Sequence, residues 1–403
     1  MKNNMTKNEL LLFWGKWTSK IGDIIFDYVN SIIIVHVFSN SSWILALYQS
    51  SQTIINLIFN LLGGVISDAG KRKKILIITD LLSALVCFLT SFFVKSKYIA
   101  IILIIANALL ALIFSFASPT YKSIVKEMVP NNRISTYNSI ANAGVELISL
   151  VGPVIGLTMM NYFGAKGALL INAVTFAVSA FSESFLVRLE NMPSNATKKN
   201  KKGILADIAA GFIYLKKEKT LFSLIVLSAM VNFFLAGYNL LIPYTDILFQ
   251  SSFQNFYSKV MVAEAIGGIF GAFINSKLPH KITSKTIVLT LLLGATGISL
   301  VLPPLVKESR NLMLCLTPFF CFGITLTMYN INFMSYVQIH VDENYLGRIF
   351  SIIFTVAVMF MPIGSFVFSS IQIIDSVNGF QLVGTGIIIL SILAIPMMFQ
   401  KKV

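Results

Sequence analysis

The sequence predicts an all-α membrane protein of twelve transmembrane helices, arranged as two six-helix halves in a parallel repeat. Three observations predict it. Hydrophobic residues make up 56% of the 403-residue chain and charged residues only 12%, with a mean hydropathy of +0.80, whereas a soluble domain averages about 25% charged residues. Twelve apolar stretches approach or exceed the roughly 20 residues that a helix needs to cross a bilayer core. The Lys and Arg residues between those stretches alternate in density from loop to loop. Helix is the expected form because lipid offers no partner to an open strand edge.

The stretches run 11–38, 43–66, 75–94, 98–117, 138–161, 167–187, 221–248, 257–276, 285–305, 311–338, 347–371 and 380–400. The first follows a polar start, Met1 to Glu9, with no small-residue cleavage site, and reads as a retained span. Between the second and third lies Gly63-Gly64-Val65-Ile66-Ser67-Asp68-Ala69-Gly70-Lys71-Arg72-Lys73-Lys74. A short, cation-rich hairpin between two spans marks a cytoplasmic turn. With the N-terminus inside, 25 of the 31 Lys and Arg residues fall on the cytoplasmic side and 6 on the other. Both termini are therefore expected in the cytoplasm, in a multi-pass protein of the cell membrane. The longest polar segment falls at the midpoint. It divides the chain into an N-terminal half (1–190), a cytoplasmic linker (191–220) and a C-terminal half (221–403). Part of the linker, 204–215, has the apolar spacing of a surface helix.

A midpoint linker invites a search for an internal repeat. Shifting the loop after the fourth span by 212 residues brings Val129 onto Val341, Asn132 onto Asn344, Ser139 onto Ser351 and Ile140 onto Ile352. Gly64-x-x-x-Asp68 and its basic residues have an echo in Gly271-x-x-x-Asn275 with Lys277 and Lys281. Two matches in corresponding places support six spans plus six in parallel, with a site near the midplane between the halves.

Several function classes drop out. The net charge of +14 sits in loops as topology signals, so nucleic acid is not a partner. Cys87, Cys315, Cys321 and the three histidines are scattered and form neither a disulfide framework nor a metal spacing. Phosphate-loop and nucleophile-elbow patterns are absent, so no cofactor, direct use of ATP or enzymatic activity is expected. Transport driven by an ion gradient, or simple equilibration, remains.

Charged groups inside the spans are then informative, because each costs about 2.5–3.5 kcal/mol to insert. Asp23 and Asp27 stand four apart in the first span and share a helix face. Two acids on one face suit a group that takes up and releases a proton; a plain pairing of Asp23 with Lys16 or Lys20 is the alternative. Glu146 in the fifth span and Glu264 in the eighth are further coupling candidates, or else hydrogen-bond partners across helices. Asp80, Glu183 and Asp246 lie nearer helix ends and read as structural. Tyr238, Asn239, Tyr329 and Asn330, with Asn332 and Tyr336, place polar and aromatic groups in apolar helices. With 33 Phe in the chain, such a mixture suits a cavity for an amphipathic organic ligand. Gly152-Pro153-x-x-Gly156 bends the fifth span and permits close helix approach.

The pattern resembles the major facilitator superfamily. Gly64-x-x-x-Asp68 followed by Arg72, Lys73 and Lys74 is similar to the loop between spans two and three of that superfamily, and Gly152-Pro153-x-x-Gly156 to part of its antiporter motif. Gly22-Asp23, Glu127-Met128-Val129-Pro130, Asn138-Ser139 and Gly347-Arg348 resemble the drug-efflux branch that contains macrolide exporters. Ala69 stands where the family usually has Arg, the order Gly70-Lys71 differs, and the fourth span has no Arg, so the proton-relay motif of other drug exporters is missing. The resemblance implies alternating access, with spans one, four, seven and ten lining the substrate path. It also implies a cytoplasmic gate of Gly64, Asp68, Arg72 and Arg348, with Asp68 near the start of span eleven. The expected function is proton-coupled efflux of amphipathic, macrolide-like molecules by a monomer in the lipid bilayer. Export of a native metabolite such as a siderophore or peptide product is one alternative; a non-transporting sensor on a transporter scaffold is another.

Overall fold

The computed structural model describes residues 6–38, 42–67, 72–130, 133–188, 213–215, 218–249, 253–279, 286–341 and 343–398. The chain is helical, and the described residues contain no strand. In order, α1 is Lys7–Val37, α2 Ser42–Ser67, α3 Arg72–Ser91 and α4 Ile99–Met128. One helical run, Ile134–Ser184, breaks at Gly164, where φ is 64° and ψ 178°; its two arms are α5 and α6. Glycine reaches that positive φ without the penalty a Cβ brings, so it ends one span and starts the next. α7 is Lys219–Leu241, prolonged by a 3-10 turn Ile242–Tyr244 and a helical turn Thr245–Leu248. α8 is Phe256–Lys277, α9 Thr286–Val301, α10 Leu312–His340, α11 Glu343–Ser370 and α12 Asn378–Met398.

These twelve helices follow the twelve apolar stretches in order. Among the described residues, eight helices are long and apolar enough to cross a membrane by length and composition. α1 is not among them because Lys16, Lys20, Asp23 and Asp27 interrupt it, which makes it the span with most chemistry to explain. α4 runs to Met128, past the expected end at 117, because its charged continuation around Lys122 stays helical beyond the apolar stretch.

The chain divides into two compact units, one of Met1–Val37 with Leu47–Lys199 and one of Phe38–Ala46 with Asn200–Val403. Their internal packing repeats. In the first, α1 and α3 pack on the α5–α6 run and α3 on α4; in the second, α7 packs on α11 and α12, and α9 on α12 and α10. The expected linker at 191–220 lies mostly outside the described residues.

One end of the first unit is tied by polar contacts. Thr6 and Glu9 form a reciprocal cap on α1: the Glu9 N–H donates to Thr6 Oγ1 (3.3 Å) and the Thr6 N–H to Glu9 Oε2 (2.7 Å). The Glu9 carboxylate also receives Arg133 Nε at 2.7 Å. Asn8 donates to the carbonyls of Met128 (3.1 Å) and Val187 (2.6 Å), and Lys73 to that of Leu186 (2.8 Å). Below this ring Phe13 stacks between Trp17 (5.2 Å) and Tyr137 (4.6 Å), in an apolar cluster with Leu12, Leu76, Ile124 and Met128.

Candidate functional site

α1 carries the first candidate group, and glycines of α5 set its position. A Cβ at Gly144 would meet the Trp17 ring, one at Gly152 would meet Ile24, and one at Gly156 would meet Tyr28. These three α1 side chains fill three notches along α5, which seats α1 and fixes its rotation. Gly152-Pro153-x-x-Gly156 is thus a bearing surface for the helix that holds Asp23 and Asp27. The exposed Asp27 carboxylate accepts a hydrogen bond from the Tyr48 hydroxyl at 3.1 Å. Asn30 Nδ2 donates to that hydroxyl (3.2 Å), and Asn107 Nδ2 holds the Tyr48 carbonyl (2.7 Å) and Ser51 Oγ (3.1 Å). Asp27 is therefore held by a network drawn from α1, α2 and α4. Sequence reading missed Tyr48, Asn30 and Asn107; polar residues in an apolar span are the signal that marks them.

Asp23 meets other surroundings. It lines a cavity of about 340 Å³ in the first unit, walled by α1, α3, α4, α5 and α6. Asp80 and Glu183 line the same cavity, with Lys16, Lys20, Lys122 and the hydroxyls of Ser19, Ser83 and Ser179. The structural role expected of Asp80 and Glu183 from their nearness to helix ends overlooks this grouping. Distance along a helix says nothing about which residues the other helices bring alongside. Asp246, by contrast, does cap a helix, accepting from the Tyr257 N–H at 2.9 Å.

In the second unit Glu264 on α8 accepts from the Tyr238 hydroxyl of α7 at 2.7 Å. The Tyr238 ring packs on Phe322 with centroids 4.2 Å apart. α8 and α10 approach closely: a Cβ at Gly267 would meet the Phe320 carbonyl, and one at Gly323 would meet that of Glu264. The Gly271-x-x-x-Asn275 echo belongs to this seam, since Gly271 abuts Ile324 and Asn332 Nδ2 donates to Asn275 Oδ1 at 2.7 Å. Tyr238 and Tyr329 are both buried, while Asn239 and Asn330 beside them are exposed.

Residues 12–365 match the sequence profile of the Major Facilitator Superfamily. The chain belongs to the major facilitator superfamily. Among curated relatives it is 26% identical over 328 residues to the multidrug efflux pump Tap of Mycolicibacterium fortuitum, covering 77% of this chain and 76% of that one. It is 19% identical over 418 aligned positions to macrolide efflux protein A of Streptococcus pyogenes, covering 98% of each. An uncharacterized MFS-type transporter of Bacillus subtilis, YkuC, is 24% identical over 72% of this chain and 71% of its own. Among solved structures, the nucleoside transporter NupG superposes with a TM-score of 0.77 at 12% identity, covering 97% and 100% of the two chains. A bacterial homologue of the iron transporter ferroportin, in its inward-facing state, gives 0.72 at 14% identity over 99% and 100%. These are shared folds; at such identity they carry no substrate.

This facilitator is thus a multi-pass membrane transporter of the same family as known efflux pumps. Of the expected gate residues, Arg72 pairs with Glu127, bracing the start of α3 against the end of α4. Gly64 lies in α2, Asp68 lies outside the described residues, and so do the side chains of Arg348 and Glu146.

Proposed function

We propose that this facilitator is a gradient-driven exporter of amphipathic small molecules, exchanging an inward proton for each outward step by alternating access. It sits as a monomer in the cell membrane with both termini in the cytoplasm, and it catalyses no covalent reaction. The observation that carries the coupling assignment is the exposed Asp27 carboxylate held by the Tyr48 hydroxyl at 3.1 Å. Such a group is positioned by protein donors yet reachable from outside its own bundle, as an acid that trades a proton for a substrate must be. Asp23 one turn away is its auxiliary, and Glu264, held by Tyr238, is the corresponding acid of the second half. Asn239 and Asn330 offer polar contacts to substrate, and Gly64, Asp68, Arg72 and Arg348 form the cytoplasmic gate. The likeness to multidrug and macrolide efflux proteins along most of the chain supports an amphipathic cargo. One proton crossing 100 mV supplies about 2.3 kcal/mol, enough to sustain roughly a fiftyfold substrate gradient.

The test is a panel of minimum inhibitory concentrations for macrolides and amphipathic cationic dyes in a host lacking its own pumps. Expression of the wild-type chain raises the concentration for part of the panel, and Asp27→Asn at equal membrane abundance abolishes the rise. An unchanged panel with the protein present in the membrane removes the efflux reading; full protection by Asp27→Asn removes Asp27 from the coupling.

A further inference from the structure

The cavity of the first unit holds more acid than the export reading uses. Glu183 is 3% exposed, and its Oε2 has no hydrogen-bond partner among the described residues. Asp80 Oδ2 is likewise buried without a partner. Both line the cavity. The two carboxyls lie close enough for their charges to interact, and Asp80 is within the same reach of Asp23. Hydroxyls of Ser19 and Ser179 face Asp80, and Ser19 stands one helical turn before Asp23 on α1.

Among the described residues neither Asp80 nor Glu183 forms an ion pair. Lys16 is turned to Asn142 Oδ1 at 3.0 Å, and the charge of Lys20 interacts with Asp23 and Asp27. α4 brings Lys122 and the Tyr121 hydroxyl, which is bonded to Tyr137 and to the Leu12 carbonyl (3.2 Å); α5 brings the apolar Val145. Among the described residues, no group of three or more acids, His or Cys is gathered closely enough to hold a metal ion. Two carboxylates that repel one another, each with one buried oxygen lacking a partner, are both relieved by one hydrogen held between them.

We propose that Asp80 and Glu183 share one exchangeable proton and pass it to and from Asp23, making this cavity the proton path of the first half. In the transfer the Asp23 O–H bond breaks and a proton adds to the Asp80 carboxylate, through the Ser19 hydroxyl or through water, for which the cavity has room for on the order of ten molecules. The Asp80 O–H bond then breaks as a proton adds to the Glu183 carboxylate. Glu183, one residue from the end of the α5–α6 run, releases its proton to the cytoplasmic side and is ready for the next. Protons and substrate thus leave α1 by different routes. This rests on the proton-coupled reading above.

The experiment uses the full chain in vesicles with an internal pH dye, and erythromycin and ethidium as transported probes. Wild type, Asp80→Asn, Glu183→Gln and the double variant are compared in two modes: accumulation driven by a pH gradient, and counterflow of probe without one. Expected is near wild-type counterflow in the variants, while gradient-driven accumulation falls from about fiftyfold toward equality and probe-driven proton movement is lost. Counterflow doubles as the check that each variant folds. Where the double variant does not fold, the two single variants carry the same test and give the same split. Unimpaired gradient-driven accumulation by the double variant, or by both single variants in its place, overturns this proposal alone. Equal loss of both modes in folded variants assigns the pair to substrate binding and also overturns it. Wild-type export that ignores the pH gradient overturns the coupling reading and this proposal together.

Discussion

Asp23 and Asp27 are four residues apart on one helix, and the groups around them differ. Asp27 is reached by a phenolic donor from α2, while Asp23 opens into a cavity shared with two further acids. A hydrogen bond to a charged group contributes about 1.5–3 kcal/mol. Tyr48→Phe keeps the ring and removes the donor. It is expected to slow proton-driven export by about tenfold with normal membrane abundance, measured as initial rates in vesicles; an unaltered rate shows that Asp27 needs no such anchor. That the α1 acids are exceptional was legible in the sequence, because charge in an apolar stretch stands out locally. That Tyr48 completes one of them was not, since 21 residues separate the pair. Arg72 shows the converse: read as a gate residue, it is held by Glu127, 55 residues away on α4.

At the scale of elements, small residues decide how the helices meet. Trp17, Ile24 and Tyr28 recur on one face of α1 and drop into Gly144, Gly152 and Gly156 of α5. Enlarging a notch overpacks a fitted interface at a cost of about 1–3 kcal/mol, and it also rotates or lifts α1. Gly156→Leu is therefore expected to lower thermal stability in detergent and to reduce export by more than the loss of folded protein accounts for. Loss of export in strict proportion to folded protein would confine this seam to stability. The same logic binds α8 to α10, where Gly267 and Gly323 bring backbone against backbone beside Glu264. The glycine pattern is visible in the sequence; the helix each notch receives is not, because notches carry no label for their partner.

Over the whole molecule, two units of like connectivity carry different chemistry. The first has three acids on one cavity, and the second has Glu264 with Tyr238. In the proposed mechanism the energy is drawn through the first half. Collapsing the pH gradient in vesicles with nigericin is expected to stop probe accumulation, while a reporter fused after Val403 reads as cytoplasmic in intact cells. A periplasmic or external reporter signal reverses the proposed direction of export. The twelve spans and their division into halves were readable because apolar length and basic loops are local properties of the chain.

Sequence by itself determined the solvent of this protein, the number and order of its helices, and the presence of two acids on the face of the first. Each follows from residue spacing within about one span. Only the tertiary structure decided that Asp80 and Glu183 join Asp23, that Tyr48 tethers Asp27, and that Arg72 is bound to Glu127. Those groupings join residues many helices apart, and helix packing, not periodicity, chooses which faces meet.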